Sequence, residues 1–242
     1  MTADIDRRSA LAAALALGAA LTTQETAMAQ AFSPAAIPAA APPAYEIRPL
    51  PFDAARIAGL STQMLTSHHD NNYAGAVRRL GAIQTQLAGL DFAAAPGFQV
   101  NGLKREELIA LNSMILHEIY FAGFVGDARS PGSRLGRQIE RDFGSLDRWR
   151  AEFAGMAKAQ GGGSGWVLLT WSPRAGRLIN SWAADHTMTA ADGTVLLALD
   201  MYEHAYAIDY GARAGVYVDA FMEAMRWSNA DAAFQAAWRG RG

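Results

Sequence analysis

The chain has 242 residues, enough for one large domain or two small ones, and its 21 basic and 23 acidic residues nearly balance. That balance gives no reason to expect nucleic acid or an anionic membrane surface as a partner. The chain has no cysteine, which excludes disulfides, iron–sulfur clusters, thiolate zinc and blue copper. Any bound metal must therefore be held by nitrogen and oxygen.

The N-terminus has the features of an export signal. Arg7 and Arg8 precede an alanine-rich apolar run at 10–21, and a small-x-small sequence ending at Ala29 is typical of a cleavage site. Paired arginines before a mildly apolar run are typical of the twin-arginine route. We therefore expect residues 1–29 to be a signal peptide and the mature protein to be periplasmic, with no other membrane segment. An uncleaved tail or a membrane anchor is the alternative.

Composition divides the rest of the chain into three parts. Residues 30–46 are rich in proline and alanine, which favours an extended linker outside any core. A glycine-containing break between Gly126 and Gly132 then separates two regions with different patterns. We predict a helical hairpin domain at 47–127 and a C-terminal α/β domain at 128–242.

Two long helices are predicted in the first of these domains. Ser61 is a plausible N-cap, and apolar residues recur at intervals of three and four over 64–90. His68 lies on this apolar stripe. A second helix is predicted over 103–124, with His117 deep inside it. Two long helices with a modest connection indicate an antiparallel hairpin.

The C-terminal half alternates helical and extended patterns. Helices are predicted over 135–143, 146–158 and 217–238, the last interrupted near Ser228. Three short apolar runs are typical of strands: Trp166–Thr170, Leu178–Trp182 and Val195–Leu199. The predicted fold class is therefore α+β, in which an N-terminal antiparallel helical hairpin is followed by an α/β domain with a three-stranded antiparallel sheet.

The third predicted strand runs directly into a possible metal-binding pair. Asp200 follows the strand, and His204 follows four residues later, so both side chains can point at one ion. This spacing is common by chance, and a carboxylate that orients a core histidine explains it equally well.

The histidines of the hairpin favour the metal site over that simpler explanation. His68 and His117 lie on facing helices, whereas His69 is rotated by about 100° from His68 and is not expected to join them. Together with Asp200 and His204 they give three imidazoles and one carboxylate, a set suited to iron or manganese with a solvent ligand. The residues alone therefore indicate a mononuclear metal site.

The sequence around these residues resembles the iron/manganese superoxide dismutase family over 47–240. The most specific motif begins at Asp200 and reads Asp-Met-Tyr-Glu-His-Ala-Tyr, and the intervals between the four candidate residues are close to those of the family. The resemblance implies that one iron ion, or alternatively manganese, is bound by His68, His117, Asp200 and His204. It implies superoxide as the substrate, and dioxygen and hydrogen peroxide as the products.

The resemblance also implies roles for residues around the metal. Trp166 and Tyr202 would line the site. Glu203 would reach across a two-fold axis to His204 of a second copy, so that the protein is a homodimer. A solvated helix charge is the alternative for Glu203.

Several positions depart from the family pattern. Ala76 replaces an entrance tyrosine and Asn72 an entrance histidine, and Arg213 is displaced by one position from a substrate-steering arginine. Ser113 occupies one of the two places that supply a solvent-contacting glutamine, but its side chain is too short. His186 lies at the second place, like the histidine of some members, and is our candidate catalytic residue. A surface-loop histidine is the alternative for His186.

Two other functions are compatible with such a site. One is a protein that binds metal and keeps the fold but does not catalyse dismutation, because Ala76 has no hydroxyl. The other is a non-haem iron oxygenase, which needs only two histidines and a carboxylate. A fourth protein ligand argues against the oxygenase, because it fills a position that dioxygen or a cosubstrate needs. Zinc cannot support dismutation, because it has no redox chemistry.

Overall fold

The structure is a computed structural model that describes residues 44–160 and 163–239. The predicted signal peptide at 1–29, and all of the predicted linker except its last three residues, lie outside this part of the chain. Among the described helices, none combines the length and the apolar character needed to cross a bilayer.

The first long helical segment runs from residue 62 to residue 88. It consists of helix α1 (Thr62–Ser67), a π-helical turn (His68–Tyr73) and helix α2 (Ala74–Ala88). Ser61 is its N-cap, because the hydroxyl of Ser61 accepts a hydrogen bond from the Met64 amide at 3.0 Å. The helix predicted over 64–90 is thus present, but the apolar pattern gave no sign of the π-helical turn.

The second long helix, α3, spans Gly97–Ala122 and begins six residues before the predicted start at Leu103. Its contacts with the first segment show that the two run antiparallel. Tyr73 donates a hydrogen bond to Glu118 at 3.0 Å, while Arg79, further along the first segment, forms an ion pair with Glu106, which is earlier in α3. The predicted antiparallel hairpin is therefore correct.

The remaining elements follow the predicted order. After α3 come α4 (Ser133–Phe143), α5 (Leu146–Ala159), β1 (Trp166–Ser172), β2 (Arg177–Ala183) and β3 (Thr194–Asp200). The chain ends in α6 (Ala207–Tyr210), α7 (Ala214–Ala224) and α8 (Ser228–Arg239). The segment predicted over 217–238 is thus two helices, separated where the interruption was expected.

The three strands form one antiparallel sheet in the order β2-β1-β3. The central strand β1 is buried along its whole length. Its first residue, Trp166, pairs with Ala183 at the end of β2 and with Asp200 at the end of β3. The three residues therefore lie in one row at one end of the sheet. The predicted α+β fold class is confirmed.

Gly165 allows the chain to enter β1 at this end of the sheet. Its φ of +137° is a conformation that side chains disfavour, and a Cβ here would lie 2.1 Å from the carbonyl oxygen of Ala183. The carbonyl of Gly165 in turn accepts a hydrogen bond from the Met201 amide at 2.9 Å. Glycine thus joins the start of β1 to the residue that follows Asp200.

The hairpin and the sheet share one buried core. Helices α3 and α8 both pack against β3, and α4 and α5 pack against β2. The largest fully buried side chains come from both parts of the chain, and they include Tyr73, Tyr120, Trp149, Trp166, Trp171 and Tyr217. Helix α3 and strand β3 are therefore held at a fixed distance, and each supplies a candidate metal ligand.

Candidate metal centre

The four predicted metal ligands come together in the core. Nε2 of His68 lies 3.1 Å from Oδ2 of Asp200, and Nε2 of His204 lies 3.2 Å from the same oxygen. Nε2 of His117 lies 3.6 Å from it. The four donor atoms lie within 4.8 Å of one another. The structure therefore brings together residues that are up to 136 positions apart in the sequence.

Each ligand lies at a defined point of an element. His68 begins the π-helical turn, His117 is in the last two turns of α3, Asp200 ends β3, and His204 lies in a short 3₁₀ turn (Glu203–Ala205). Single π turns inside helices occur frequently at functional sites. His69 lies outside the group, because its ring nitrogens face Asp70 and the carbonyl of Arg48.

Asp200 is fully buried and its two carboxylate oxygens have different partners. Oδ1 accepts a hydrogen bond from the Tyr202 amide at 2.8 Å, while Oδ2 faces the three imidazoles. Burial alone would raise the pKa of this carboxyl group, but the imidazoles of His204 and His68 outweigh burial and hold the pKa well below its usual range. Asp200 is therefore a carboxylate in the folded protein.

His117 is held in the form that a metal ligand requires. Its Nδ1 donates to the backbone carbonyl of Ser113 at 2.6 Å, which leaves Nε2 without a proton. Burial lowers the pKa of His117 to about 3, so the ring is neutral at physiological pH. Within the described part of the chain, Nε2 has no hydrogen-bond partner. A buried lone pair of this kind is suited to a metal.

The spacing of the donor atoms also fits an ion. A metal about 2.0–2.2 Å from each donor places neighbouring donors about 2.8–3.8 Å apart when the angles at the metal are about 90–120°. The three distances to Asp200, from 3.1 to 3.6 Å, lie in that range. A lone pair of His117 that faces a carboxylate is repulsive unless a cation lies between them. Three imidazoles and one carboxylate suit iron or manganese.

His186 lies beside this cluster. Its Nδ1 accepts a hydrogen bond from the indole N–H of Trp166 at 2.9 Å, so a proton on the neutral ring must be on Nε2. The ring stacks on Tyr202 with centroids 5.0 Å apart, and its centroid is 6.2 Å from that of His117. Asn112 donates to the backbone carbonyl of His186 at 2.6 Å. Burial lowers the pKa of His186.

The other residues suggested by the resemblance surround the site. Trp166 is fully buried, with its ring centroid 5.3 Å from that of His117. Tyr202 stacks on His204 with centroids 5.4 Å apart and planes inclined by 13°. Glu203 is exposed, in contrast to the four candidate ligands.

The departures from the family pattern are visible in the structure. Ala76 is buried on α2, and Asn72 is partly buried in the π-helical turn. Neither side chain has the aromatic ring that the family pattern has at these positions. The hydroxyl of Ser113 lies 3.4 Å from Nδ1 of His117, the ring nitrogen that does not face Asp200. Arg213 is exposed at the start of α7, where its Nε donates to the carbonyl of Tyr210.

Two residues that support the site, Tyr217 and Asn112, carry no signal in the amino-acid sequence. Tyr217 of α7 donates a hydrogen bond to the backbone carbonyl of Asp200 at 2.8 Å, and Asn112 holds the loop of His186. Tyr217 has an ordinary position in the apolar pattern of its helix. Only the packing of α7 against the end of β3 shows its role.

Comparison with known proteins agrees with the fold and the site. The profile of iron/manganese superoxide dismutases, C-terminal domain, matches residues 131–233. A protein of Cupriavidus metallidurans named Superoxide dismutase [Fe] is 60% identical over 195 residues, covering 81% of this chain and 98% of the relative. Superoxide dismutase [Mn] 2 of Haloferax volcanii is 32% identical over 199 residues, covering 80% and 97%.

A third relative, Superoxide dismutase [Fe] of Aquifex pyrophilus, is 30% identical over 190 residues, which is 76% of this chain and 88% of the relative. Matches of this extent include the hairpin as well as the sheet. The chain belongs to the iron/manganese superoxide dismutase family.

The pKa of His117 predicts an acid-sensitive stability for the metal-free protein. The folded-state pKa of about 3 lies below the unfolded value of about 6.5, so in this window the unfolded chain binds one more proton than the folded chain. The free energy of unfolding should therefore fall as the pH is lowered from 6.5 toward 3. The contribution of His117 should approach about 1.4 kcal/mol per pH unit.

Chemical denaturation of chelator-treated protein at a series of pH values measures this slope. The His117→Gln variant has no imidazole at this position and is the control, so its stability should depend less steeply on pH between about 4 and 6. Parallel curves for the two proteins would show that His117 takes up a proton in the folded state.

Proposed function

We propose that this protein is a superoxide dismutase that converts superoxide to dioxygen and hydrogen peroxide at a mononuclear iron site, with manganese as the alternative metal. The main support is the group of His68, His117, Asp200 and His204, of which the first three are buried, in a member of this family. Iron is favoured because the relative with 60% identity is named as an iron enzyme, whereas the manganese enzyme of Haloferax volcanii is 32% identical.

The residues of the chain bind the metal and shield it from solvent. Bound iron or manganese supplies the one-electron exchange that dismutation requires. The neutral imidazoles and the ionised carboxylate hold the metal in the core, where His68, His117 and Asp200 are almost completely shielded from solvent. The imidazole of His204 is only partly shielded, with 26% of its side chain exposed. The site therefore has one side close to the protein surface.

Metal analysis combined with an activity assay tests this function. The purified chain should contain about one iron ion and should consume superoxide without an organic cosubstrate. Removal of the metal should abolish the activity, and added iron should restore it. The His117→Ala variant should lose metal and activity together. Bound metal without turnover would instead support a non-catalytic metal-binding protein, and a requirement for a cosubstrate would support an oxygenase.

We also propose that His186 is the residue that would contact solvent at the metal site and hold a proton for it on Nε2. The hydrogen bond from Trp166 places a proton on Nε2, and the ring lies beside His117. Ser113 is directed to the far side of His117, and Ala76 has no hydroxyl, so neither competes for this role.

The His186→Ala variant should keep its metal, because none of the four ligands is changed. Its turnover should fall about 10-fold to 100-fold, which is typical for residues that act on a metal site through one contact. Met188→Ala, an exposed position on the same loop, is the matched control and should turn over like the wild type. If His186→Ala and Met188→Ala are equally active, the role proposed for His186 is wrong.

A further proposal is that the protein forms a two-fold dimer through Glu203 and His204. Nε2 of His204 faces Asp200, so Nδ1 is directed away from the metal site. Within the described residues no group of the same chain bonds to Nδ1, and Glu203 is exposed beside it. Glu203 of a second copy would accept a hydrogen bond from Nδ1 and so fix the ring.

The Glu203→Ala variant should weaken this dimer. Loss of two symmetry-related charged hydrogen bonds should raise the dissociation constant at least about tenfold, as measured by sedimentation. Glu140→Ala removes another exposed carboxylate, from α4, and should leave the dimer unchanged. A stable wild-type monomer at micromolar concentration would contradict the proposed assembly.

Export by the twin-arginine route is also proposed, because Arg7 and Arg8 precede an apolar run and a small-x-small site. Identification of the N-terminal residue in protein isolated from the periplasm and from the cytoplasm tests this export. An uncleaved N-terminus in cytoplasmic protein alone would contradict it.

A further inference from the structure

We propose that Tyr217, in a buried hydrogen-bonded pair with Tyr120, positions Asp200 for metal binding through the backbone carbonyl of Asp200. This inference rests on the proposed metal site and adds Tyr217 to it as a positioning residue. Both tyrosines are fully buried, on α3 and α7 respectively. The hydroxyl of Tyr217 lies 2.8 Å from the backbone carbonyl oxygen of Asp200 and 3.2 Å from the hydroxyl of Tyr120.

The hydrogen-bond directions in this group follow from its chemistry. A carbonyl oxygen can only accept, so the single proton of the Tyr217 hydroxyl is donated to Asp200. The hydroxyl oxygen of Tyr217 is then the acceptor for the proton of Tyr120. The result is a series of two hydrogen bonds, from Tyr120 to Tyr217 and from Tyr217 to the backbone of Asp200.

These two hydrogen bonds connect elements that supply the candidate ligands. Tyr120 is one turn after His117 on α3, and its ring centroid lies 4.9 Å from that of His68. Tyr217 brings α7 to the end of β3. The pair therefore contacts the backbone or ring of two ligands and shares a helix with a third, and none of the four metal-facing nitrogen or oxygen atoms is used.

Asp200 is thereby fixed at several points. Its Oδ1 accepts from the Tyr202 amide, the next amide after Asp200 donates to Gly165, and its carbonyl accepts from Tyr217. Only Oδ2 faces the imidazoles. Because a ligand that cannot rotate or shift loses little freedom on binding, the anchored carbonyl should increase metal affinity.

Because the two hydrogen bonds have a direction, the hydroxyls of Tyr217 and Tyr120 have different roles, and variants can test them separately. Tyr217→Phe removes the bond to Asp200 and also leaves the buried Tyr120 hydroxyl without its acceptor. Tyr120→Phe leaves the Tyr217 bond to Asp200 intact. The double variant removes the anchor but leaves no unpaired Tyr120 hydroxyl, so it should be more stable than Tyr217→Phe alone.

The measurement is the affinity of the metal-free full-length chain for Fe²⁺, and separately Mn²⁺, in competition with a chromogenic chelator. Tyr217→Phe and the double variant should each lose affinity by about 10-fold to 100-fold. Tyr120→Phe should bind like the wild type. Denaturation of the same metal-free proteins gives their stabilities, so affinity and stability are compared for each variant. The visible absorption of the Fe³⁺-loaded protein should change only where the Asp200 anchor is lost.

Tyr206→Phe is the matched control. Tyr206 is buried and its ring stacks on Tyr217 with centroids 5.4 Å apart, but the bond to Asp200 does not involve it. Equal affinities for Tyr217→Phe and Tyr206→Phe would overturn the proposal. So would recovery of wild-type affinity in the double variant, because affinity would then follow stability alone. If Tyr217→Phe and the double variant both fail to fold, the hydroxyl acts in folding and the positioning role is rejected.

One further result separates this inference from the proposed function. If the wild-type chain binds neither Fe²⁺ nor Mn²⁺, the metal site itself is wrong. If the wild type binds metal and consumes superoxide while all the tyrosine variants bind equally well, only the positioning role is wrong.

Discussion

The structure depends on one fully buried carboxylate, that of Asp200. An ionised group in a protein interior is strongly unfavourable unless it is paired and hydrogen-bonded. Asp200 has three imidazoles around one oxygen and a backbone amide on the other. The surrounding elements can therefore be understood by what they bring to this one side chain. Helix α3, the π-helical turn, strand β3 and the turn after it each bring one side chain to this point.

This arrangement makes metal binding a property of the whole fold. The hairpin supplies His68 and His117, while the sheet and the turn after it supply Asp200 and His204. Neither half contains enough ligands to hold an ion with three protein groups. A bound metal therefore joins two parts of the chain that are far apart in sequence, and binding stabilises the packing of α3 against β3.

Much of this was predictable from the sequence because it depends on local patterns. The cap at Ser61 and the strand that ends at Asp200 follow from local spacing and composition. The four-residue spacing of Asp200 and His204 predicted that they lie together, although a strand end and a 3₁₀ turn bring them together instead of a helix. The residues that could not be predicted are held by tertiary contacts. Tyr217 has its role only because α7 packs at the end of β3.

The helix boundaries show the same division between local and tertiary causes. Helix α3 begins at Gly97, although glycine is a poor helix former, and Pro96 supplies the fixed backbone angle that precedes it. The first segment was predicted as a regular helix because its apolar spacing was averaged over many residues. A single inserted residue changes that average very little, so the turn at His68–Tyr73 was not visible.

The π-helical turn sets how many residues can separate the N-cap from α2. Such a turn contains one residue more than a regular helical turn, so loss of one residue there would restore an uninterrupted α-helix from α1 to α2. That shorter helix would be locally better hydrogen-bonded, but everything before the deletion would rotate by about 100° and shift by about 1.5 Å relative to α2. Ser61 and His68 could then not both keep their places. The extra residue of the π-helical turn therefore keeps both the N-cap and His68 in place at the expense of a regular helix.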